Sequence, residues 1–501
     1  MARDTAALPP SHRKQVRQSI EGSHGPSNGE AHEGTPLISG VRSMVHGSVH
    51  PPHSQTWEVL FNTKHTPGAD SPKPWVKWPA YVWHITKATL LSSPVNILLF
   101  AVPVGIVAGK AGWDPVAVFV INFFAIIPLA AVLSFATEEV SVKLGEALGG
   151  LLNATFGNAV ELIVSIIALR DRQLEVVKSS MIGSILSNLL LVMGMCFFFG
   201  GIVNMRDENE QGMEQSFASI TAQTTASLMT LSAASIILPG ALFMIIGRAK
   251  EDEAARDATT LSLSRGTAII LLVLYVMYLW FQLRTHHNLF GNEDQQESGS
   301  SSQQPQDEEN RTTSPQDAQA PAEEEEEESH MSPWAAGCVL IVATVLVSIC
   351  ADYLVEGIDA LVDRAGISRS FIGLILIPIV GNAAEHVTAV MVAIKNKMDL
   401  AMGVAIGSSI QIALFVTPFL VVLGWIMDRD MDLHFETFET VAFGLSVLVV
   451  IYTVQDGKSN YLEGAMLMGL YIMIAVAFFV TPSEYFDAEK IVEGARNLVR
   501  T

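Results

Sequence analysis

The chain has 501 residues, of which half are hydrophobic and only 16% are charged. Soluble chains carry about 25% charged residues, so this composition indicates a protein embedded in a lipid bilayer. The net charge of -21 argues against nucleic-acid binding, which needs a basic face. Much of that charge is local, because the stretch from Arg284 to Pro333 holds thirteen acidic and two basic residues.

The first part of the chain is expected to stay outside the membrane. Residues 1–70 are rich in Pro, Gly, Ser and His and contain no apolar core of the kind found in signal peptides. Pro74, Trp75, Trp78 and Trp83 then form an aromatic segment that is typical of a membrane-surface anchor. We interpret residues 1–87 as a disordered cytosolic tail that ends in this interfacial segment.

Eleven apolar segments follow, and lipid leaves their backbones no partner outside the helix itself. A first helix is expected within residues 88–112, five more within 113–283 and the last five within 334–481. A Gln-, Ser-, Pro- and Glu-rich stretch at 284–333 predicts a mobile acidic loop, and residues 482–501 form a C-terminal tail. The segments run roughly over 91–109, 114–134, 145–169, 176–201, 216–247, 265–283, 334–355, 367–394, 400–426, 436–455 and 461–481.

An internal repeat connects the two groups of five segments. The sequence GNAVE at 157–161 recurs as GNAAE at 381–385, and Gly183-Ser184 recurs as Gly407-Ser408, always at an offset of 224 residues. Because each copy holds an odd number of helices, the two copies enter the membrane from opposite sides. The sequence therefore predicts an all-α integral membrane protein of about 11 transmembrane helices, with one N-terminal helix before two inverted five-helix repeats.

Glu161 and Glu385 are the principal candidate site residues. A charged side chain inside an apolar helix costs about 2.5–3.5 kcal/mol on the insertion scale. Matched positions in inverted repeats would bring the two carboxyls together at the pseudo-symmetry axis, and a purely structural role would not explain the duplication. One divalent cation or protons can neutralise the pair, so the two are expected to compete for it.

Oxygen-bearing residues accompany both glutamates. Carboxylate, amide, hydroxyl and carbonyl oxygens are the ligands of a hard cation such as calcium, and glycines in a spanning helix loosen the backbone so that carbonyls can contribute. The candidate calcium and proton ligands beside Glu161 and Glu385 are Asn158, Asn382, Ser184, Ser408, Gln411, Gly157 and Gly381. Candidate secondary or tuning residues are Ser187, Asn188, His386, Glu138, Glu139, Glu356 and Asp359.

These residues resemble the cation/proton exchanger family, especially the fungal vacuolar calcium/proton exchangers. The similarity covers most of residues 88–481 and includes GNAVELIVSIIALR from residue 157 and GNAAEHVTAVMVAIKNKMDLAMGVAIGSSIQIALF from residue 381. The resemblance implies eleven helices, a cytosolic acidic segment between the repeats, and Glu161 and Glu385 as shared ligands of calcium and protons. It also implies a multi-pass protein of the vacuolar membrane with a cytosolic N-terminus.

The expected function is secondary antiport of calcium against protons, with no resident cofactor. The sequence has no GxxxxGK[ST] phosphate loop, so the energy must come from an ion gradient. Exchange of manganese or other cations stays open, because oxygen ligands also accept manganese. A cation channel would need a continuous polar lining. An intramembrane protease would need a paired-Asp, Ser/His or HExxH arrangement, and none stands out in the spans, so no enzyme is predicted.

Overall fold

The computed structural model describes residues 66, 68, 71–206, 212–249, 253–286 and 331–481. The predicted tail up to residue 65, most of the acidic loop and residues 482–501 lie outside the described residues. Within the described ranges the chain is almost entirely helical, as its long apolar runs require in lipid.

The first described helix, α1 (Pro74–Leu91), carries the predicted aromatic anchor. A 3₁₀ turn (Pro94–Phe100) and helix α2 (Ala101–Lys110) follow, bent by 111° from α1. Trp75 is 83% exposed and Trp78 is 66% exposed. The bend thus separates an aromatic helix from the first apolar segment, which begins at Pro94 rather than at residue 91.

Helices of the first repeat follow in order. They are α3 (Pro115–Phe156), α4 (Ala159–Arg170), α5 (Leu174–Leu186) with a π turn at Ser187–Val192, α6 (Met193–Val203), α7 (Ser219–Ala249) and α8 (Glu253–Trp280) with a π turn at Phe281–Thr285. A short strand β1 (Gln215–Ser216) precedes α7 and pairs antiparallel with β2 (Lys458–Ser459).

Helices of the second repeat have the same general order. They are α9 (Pro333–Glu356), α10 (Ile358–Ala365), α11 (Arg369–Phe371) with a π turn at Ile372–Leu376, α12 (Ile377–Ile394), α13 (Met398–Gln411) with a π turn at Ile412–Val416, α14 (Thr417–Ile426), α15 (Thr437–Thr453) and α16 (Tyr461–Val480). The π turns after α5 and α13 occupy equivalent repeat positions.

The long helix α3 turns back on itself near its middle. The carbonyl oxygen of Ser141 lies where a Cβ on Gly149 would be. Eight residues of straight α-helix would separate them by about 12 Å, so the chain must reverse direction between these residues. The apolar span ends at Leu144. A predicted single segment at 145–169 is instead divided into the end of α3 and α4, with the break at Gly157 and Asn158.

Eight helices of the described chain are long and apolar enough to cross a bilayer. They are Pro115–Leu144, Leu174–Val203, Thr224–Phe243, Arg256–Thr285, Pro333–Ala365, Arg369–Ile394, Met398–Ile426 and Tyr461–Val480. The bent pair formed by Pro74–Leu91 and Pro94–Lys110 would add a ninth, and α15 is apolar but shorter. The remaining predicted segment, 145–169, falls on the two shorter helical pieces at its break.

The helix ends gather at two faces of the bundle. We call one the loop face, where Thr285 and Pro333 flank residues 287–330. The backbone amide of Met331 donates a hydrogen bond of 3.1 Å to Glu139 there. Helices α6 and α12 end at the same face, where the Asn204 side chain donates to a backbone carbonyl at 3.2 Å.

The opposite face is held together by ion pairs between the two repeats and around helix ends. Arg170 meets Asp352 at 2.5 Å, Lys178 meets Asp432 at 2.5 Å, Arg369 meets Asp359 at 2.8 Å, and Arg364 meets Asp114. Most of these side chains are exposed, so each pair contributes little to stability on its own. Together they mark the ends of α4, α9 and α10 and the starts of α3, α5 and α11.

Close backbone packing between α5 and the π turn before α12 makes Gly183 a sensitive position. A Cβ at Gly183 would lie 2.6 Å from the carbonyl carbon and Cα of Leu374, whereas Gly407, its repeat partner, has open space. We expect Gly183→Ala to lower the free energy of unfolding by about 1–3 kcal/mol, as overpacking does. Gly407→Ala is the matched control and should not lower it. Equal thermal unfolding of the two purified variants would contradict this packing.

Candidate functional site

The two repeat glutamates lie against each other's glycines in the middle of the bundle. A Cβ on Gly381 would overlap the carboxylate of Glu161, and a Cβ on Gly157 would lie 3.6 Å from Glu385 Oε1. The two carboxyls are close enough to interact electrostatically. Each repeat thus supplies a carboxyl and the small residue that makes room for the other, an arrangement that the inverted repeat predicts.

A chain of side-chain hydrogen bonds connects the repeats beside this pair. Asn158 Nδ2 donates to Gln411 Oε1 at 2.6 Å, and Ser408 Oγ donates to Asn158 Oδ1 at 2.8 Å. Asn188 Nδ2 in turn donates to Ser408 Oγ at 3.0 Å. Asn158 stands at the break between α3 and α4, and its side chain bonds to Ser408 and Gln411, which are 250 and 253 positions away in the sequence.

Several buried polar atoms at this place have no hydrogen-bond partner among the described residues. They are both carboxylate oxygens of Glu161, Oε2 of Glu385, Oγ of Ser184, and Oδ1 and Nδ2 of Asn382. Buried polar atoms without partners are costly, and carboxylates most of all, unless a ligand or a proton satisfies them. The atoms of this group that could bind a metal ion are all oxygens, which are the ligands that a hard divalent cation prefers.

We call the residues Glu161, Glu385, Asn158, Asn382, Ser184, Ser408 and Gln411 the central site. The structure brings Asn158, Ser408, Gln411 and the two glutamates together by direct contacts. Asn382 lies on α12 with Glu385, and Ser184 lies on α5; both are buried, without a hydrogen bond to the others.

The two sides of the central site differ in exposure. Glu161 is 3% exposed, whereas Glu385 and Gln411 are partly exposed. Thr388, about one turn beyond Glu385 towards the loop face, is exposed, while Ser165, one turn beyond Glu161 towards the opposite face, is buried. Glu161 is therefore the more enclosed of the two carboxyls.

The candidate secondary residues are not all near the central site. His386 Nε2 lies 3.4 Å from Ser187 Oγ, which places His386 beside α5, and Asn188 belongs to the hydrogen-bond chain. The acidic candidates lie at the two faces. Glu139 is bound to the Met331 amide, Asp359 to Arg369 and Gln173, and Glu138 and Glu356 are exposed.

One buried carboxyl was missed by the sequence reasoning. Glu439 lies in the first turn of α15 and is 1% exposed. The sequence predicts an apolar segment at 436–455 and assigns no role to this glutamate. Its position only three residues inside an apolar segment was the available signal, and its burial depends on the neighbouring helices.

Ser408 and Ser409 offer a matched test of the hydrogen-bond chain. Both are buried, but Ser409 bonds only to the Ala405 carbonyl of its own helix, at 3.0 Å. We expect Ser408→Ala to raise the calcium concentration for half-maximal transport by about tenfold, the effect of losing about 1.4 kcal/mol. Ser409→Ala should change it less than about twofold. Transport titrations that rank the two serines in reverse would contradict the role of Ser408.

The chain is similar in sequence and in fold to known proteins. The model of the sodium/calcium exchanger protein family matches residues 115–284 and 335–480. The chain is 44% identical over 398 residues to the vacuolar calcium ion transporter of Schizosaccharomyces pombe, over 79% of this chain and 87% of that one. It is 41% identical over 387 residues to the Ca(2+)/H(+) antiporter of Aphanothece halophytica, over 77% and 96%. The solved structure of YfkE is 33% identical with a TM-score of 0.60, over 77% of this chain and 100% of that one.

Proposed function

The chain belongs to the sodium/calcium exchanger protein family, among its cation/proton exchangers, and we propose that it is an antiporter that exchanges calcium for protons across a membrane. The observation that carries the proposal is the pair Glu161 and Glu385, joined across the repeats with unpartnered carboxylate oxygens. Relatives named as Ca(2+)/H(+) antiporters support the choice of ions. Names that say cation rather than calcium keep manganese as a second substrate to test.

Competition at the central site would couple the two ions. Two carboxylates can be neutralised by one calcium ion or by protons, and a buried pair is costly when neither is bound. Asn158, Ser408 and Gln411 would present the other ligand oxygens in fixed positions, because their hydrogen bonds already join the two repeats. Transport would follow when the repeats move so that the central site opens alternately to the two faces.

The vacuolar membrane is the proposed location. Two of the similar proteins, from fungi and plants, are named vacuolar. With a cytosolic N-terminus, the loop face would face the cytosol and the opposite face the vacuolar lumen. Calcium would then enter the central site from the loop face and leave into an acidic compartment, where protons compete for the two carboxylates.

The test is calcium uptake into proteoliposomes with an imposed inside-acid pH gradient, with lumenal pH recorded at the same time. We expect uptake that depends on the gradient and makes the lumen more alkaline, because protons leave as calcium enters. Repeating the assay with Mn²⁺ measures the breadth of the cation specificity. Uptake that is indifferent to the pH gradient would reject proton exchange and favour a channel or another counter-ion.

A further inference from the structure

A connection of the first repeat holds the turn that joins two ion-binding helices of the second repeat. Gln215, in β1, is 3% exposed, and its Nε2 donates to the Ala393 carbonyl at 3.0 Å and to Asn396 Oδ1 at 2.8 Å. The backbone amide of Ala218 donates to Asp399 Oδ1 at 2.7 Å. Ala393 lies in the last turn of α12, and Asp399 lies in the first turn of α13. The same short segment therefore holds the end of one helix and the start of the next.

The orientation of the Gln215 amide is fixed by its surroundings. The Ala393 carbonyl can only accept a hydrogen bond, so the NH₂ group has to face it. Oε1 of Gln215 lies beside α6, 2.5 Å from the position that a Cβ on Gly200 would take. The backbone of Gln215 pairs with Ser459 in β2, just before the start of α16. Gln215 thus stands where α6, the end of α12 and the start of α16 meet.

The internal repeat separates the shape of the turn from the way it is held. The offset of 224 residues matches Asn396 with Arg172, in the turn between α4 and α5, and both residues have a positive φ, 59° and 62°. The same offset matches Gln215 with Glu439, whose carboxylate accepts a hydrogen bond from Ser179, inside α5. Both copies therefore form the turn, and Gln215 adds a connection from the turn of the second repeat to the first repeat.

This turn determines how the second-repeat half of the central site is arranged. Helix α12 carries Asn382 and Glu385, and α13 carries Ser408 and Gln411. Glu385 is eight residues before Ala393, about 12 Å along the helix axis, so a tilt of about 5° at the turn would move it by about 1 Å. Calcium needs about six to eight oxygens at about 2.3–2.6 Å, whereas a proton needs one carboxyl. Calcium binding is therefore more sensitive than proton binding to a displacement of these helices.

We propose that Gln215 is a positioning residue for calcium binding. By fixing the turn between α12 and α13 to the first repeat, it holds Glu385 and Gln411 at the separation that calcium coordination needs. The inference rests on the proposed function, because it takes the central site to be the place where calcium binds. Gln215 lies about two turns beyond Glu385, so it acts through the two helices and is not itself a ligand.

The experiment is equilibrium binding of radioactive calcium to the purified full-length protein. We expect Gln215→Ala to raise the dissociation constant about tenfold, because a site that loosens by about 1 Å loses coordination. A purely structural role would lower the number of folded molecules that bind calcium and leave the dissociation constant unchanged. Ser216→Ala is the matched control, because the neighbouring side chain on β1 is exposed, and it should bind calcium as the wild type does.

Gln215→Glu has the same shape and gives the test a reversible form. The introduced carboxylate can only accept hydrogen bonds, so it cannot bond to the Ala393 carbonyl until it takes up a proton, which its burial favours. Wild-type binding also changes with pH, so the ratio of the two dissociation constants is compared at each pH. We expect a ratio of about ten near about pH 8 that falls towards one near about pH 5.5, as the carboxyl becomes a donor.

Two results would overturn the proposal. One is a wild-type dissociation constant in both Gln215→Ala and Gln215→Glu, and the other is a ratio for Gln215→Glu that does not change with pH. Because binding is measured without a pH gradient, both results are independent of whether calcium is exchanged for protons. Absence of calcium binding by the wild-type protein would reject the proposed function, and this inference with it.

Discussion

Glu161→Gln and Glu385→Gln should each abolish calcium-for-proton exchange in proteoliposomes. Glutamine preserves the size of the side chain but removes a charge that a divalent cation and a proton would share. We expect a loss of at least about 100-fold, the factor that corresponds to about 2.7 kcal/mol. The neutral amide suits a buried position better than an uncompensated carboxylate, so the melting temperature should not fall.

Glu214→Gln is a suitable control for this pair of variants. Glu214 is an exposed residue 3.4 Å from Lys458, and loss of such an ion pair changes stability little. It should exchange calcium at the wild-type rate. Retained exchange in both Glu161→Gln and Glu385→Gln, with pH coupling intact, would remove the central carboxylates from the mechanism.

Gly381→Ala should impair exchange strongly without unfolding the protein. The new Cβ would occupy the space of the Glu161 carboxylate, whose Cδ lies 2.9 Å from the Cβ position. Since the obstacle is the end of a flexible side chain, Glu161 would move rather than the backbone, and its carboxyl would leave the central site. We expect at least about a tenfold loss of calcium exchange, the effect of about 1.4 kcal/mol.

In contrast to exchange, the thermal stability of the protein should not fall in Gly381→Ala. Alanine favours a helix interior over glycine by about 0.5–1 kcal/mol, which offsets the displacement of Glu161. Gly403→Ala is the control, because a Cβ at Gly403 has open space. Measuring exchange and thermal unfolding on both variants separates the two effects. Wild-type exchange by Gly381→Ala would show that the position of the Glu161 carboxyl does not matter.

Sequence patterns predicted the class of the molecule because lipid restricts the backbone so strongly. Long apolar runs have to become helices, and the similarity to YfkE together with eight bilayer-length helices in the described chain confirms the all-α membrane class. The resemblance to cation/proton exchangers is confirmed by the family match and by the similar vacuolar proteins. The cytosolic placement of the tail and of the loop, and their boundaries, stay predictions.

The repeat also predicted which residues to compare across the two halves. A constant offset of 224 residues selected Glu161 with Glu385, and Asn158 with Asn382, before any packing was known. The structure adds an asymmetry between the copies: the chain breaks at Asn158, whereas Asn382 lies within the continuous helix α12. Only Asn158 therefore joins the hydrogen-bond chain to Ser408 and Gln411.

Three features depended on the tertiary structure alone. The reversal between Ser141 and Gly149, the pairing of Asp359 with Arg369, and the burial of Glu439 cannot be read from local patterns. Hydrophobic patterns predict which segments form helices in lipid, and the repeat spacing predicts which residues of the two copies correspond. Contacts such as that of Ser179 with Glu439 join residues 260 positions apart, and the crossing of whole helices decides which of them meet.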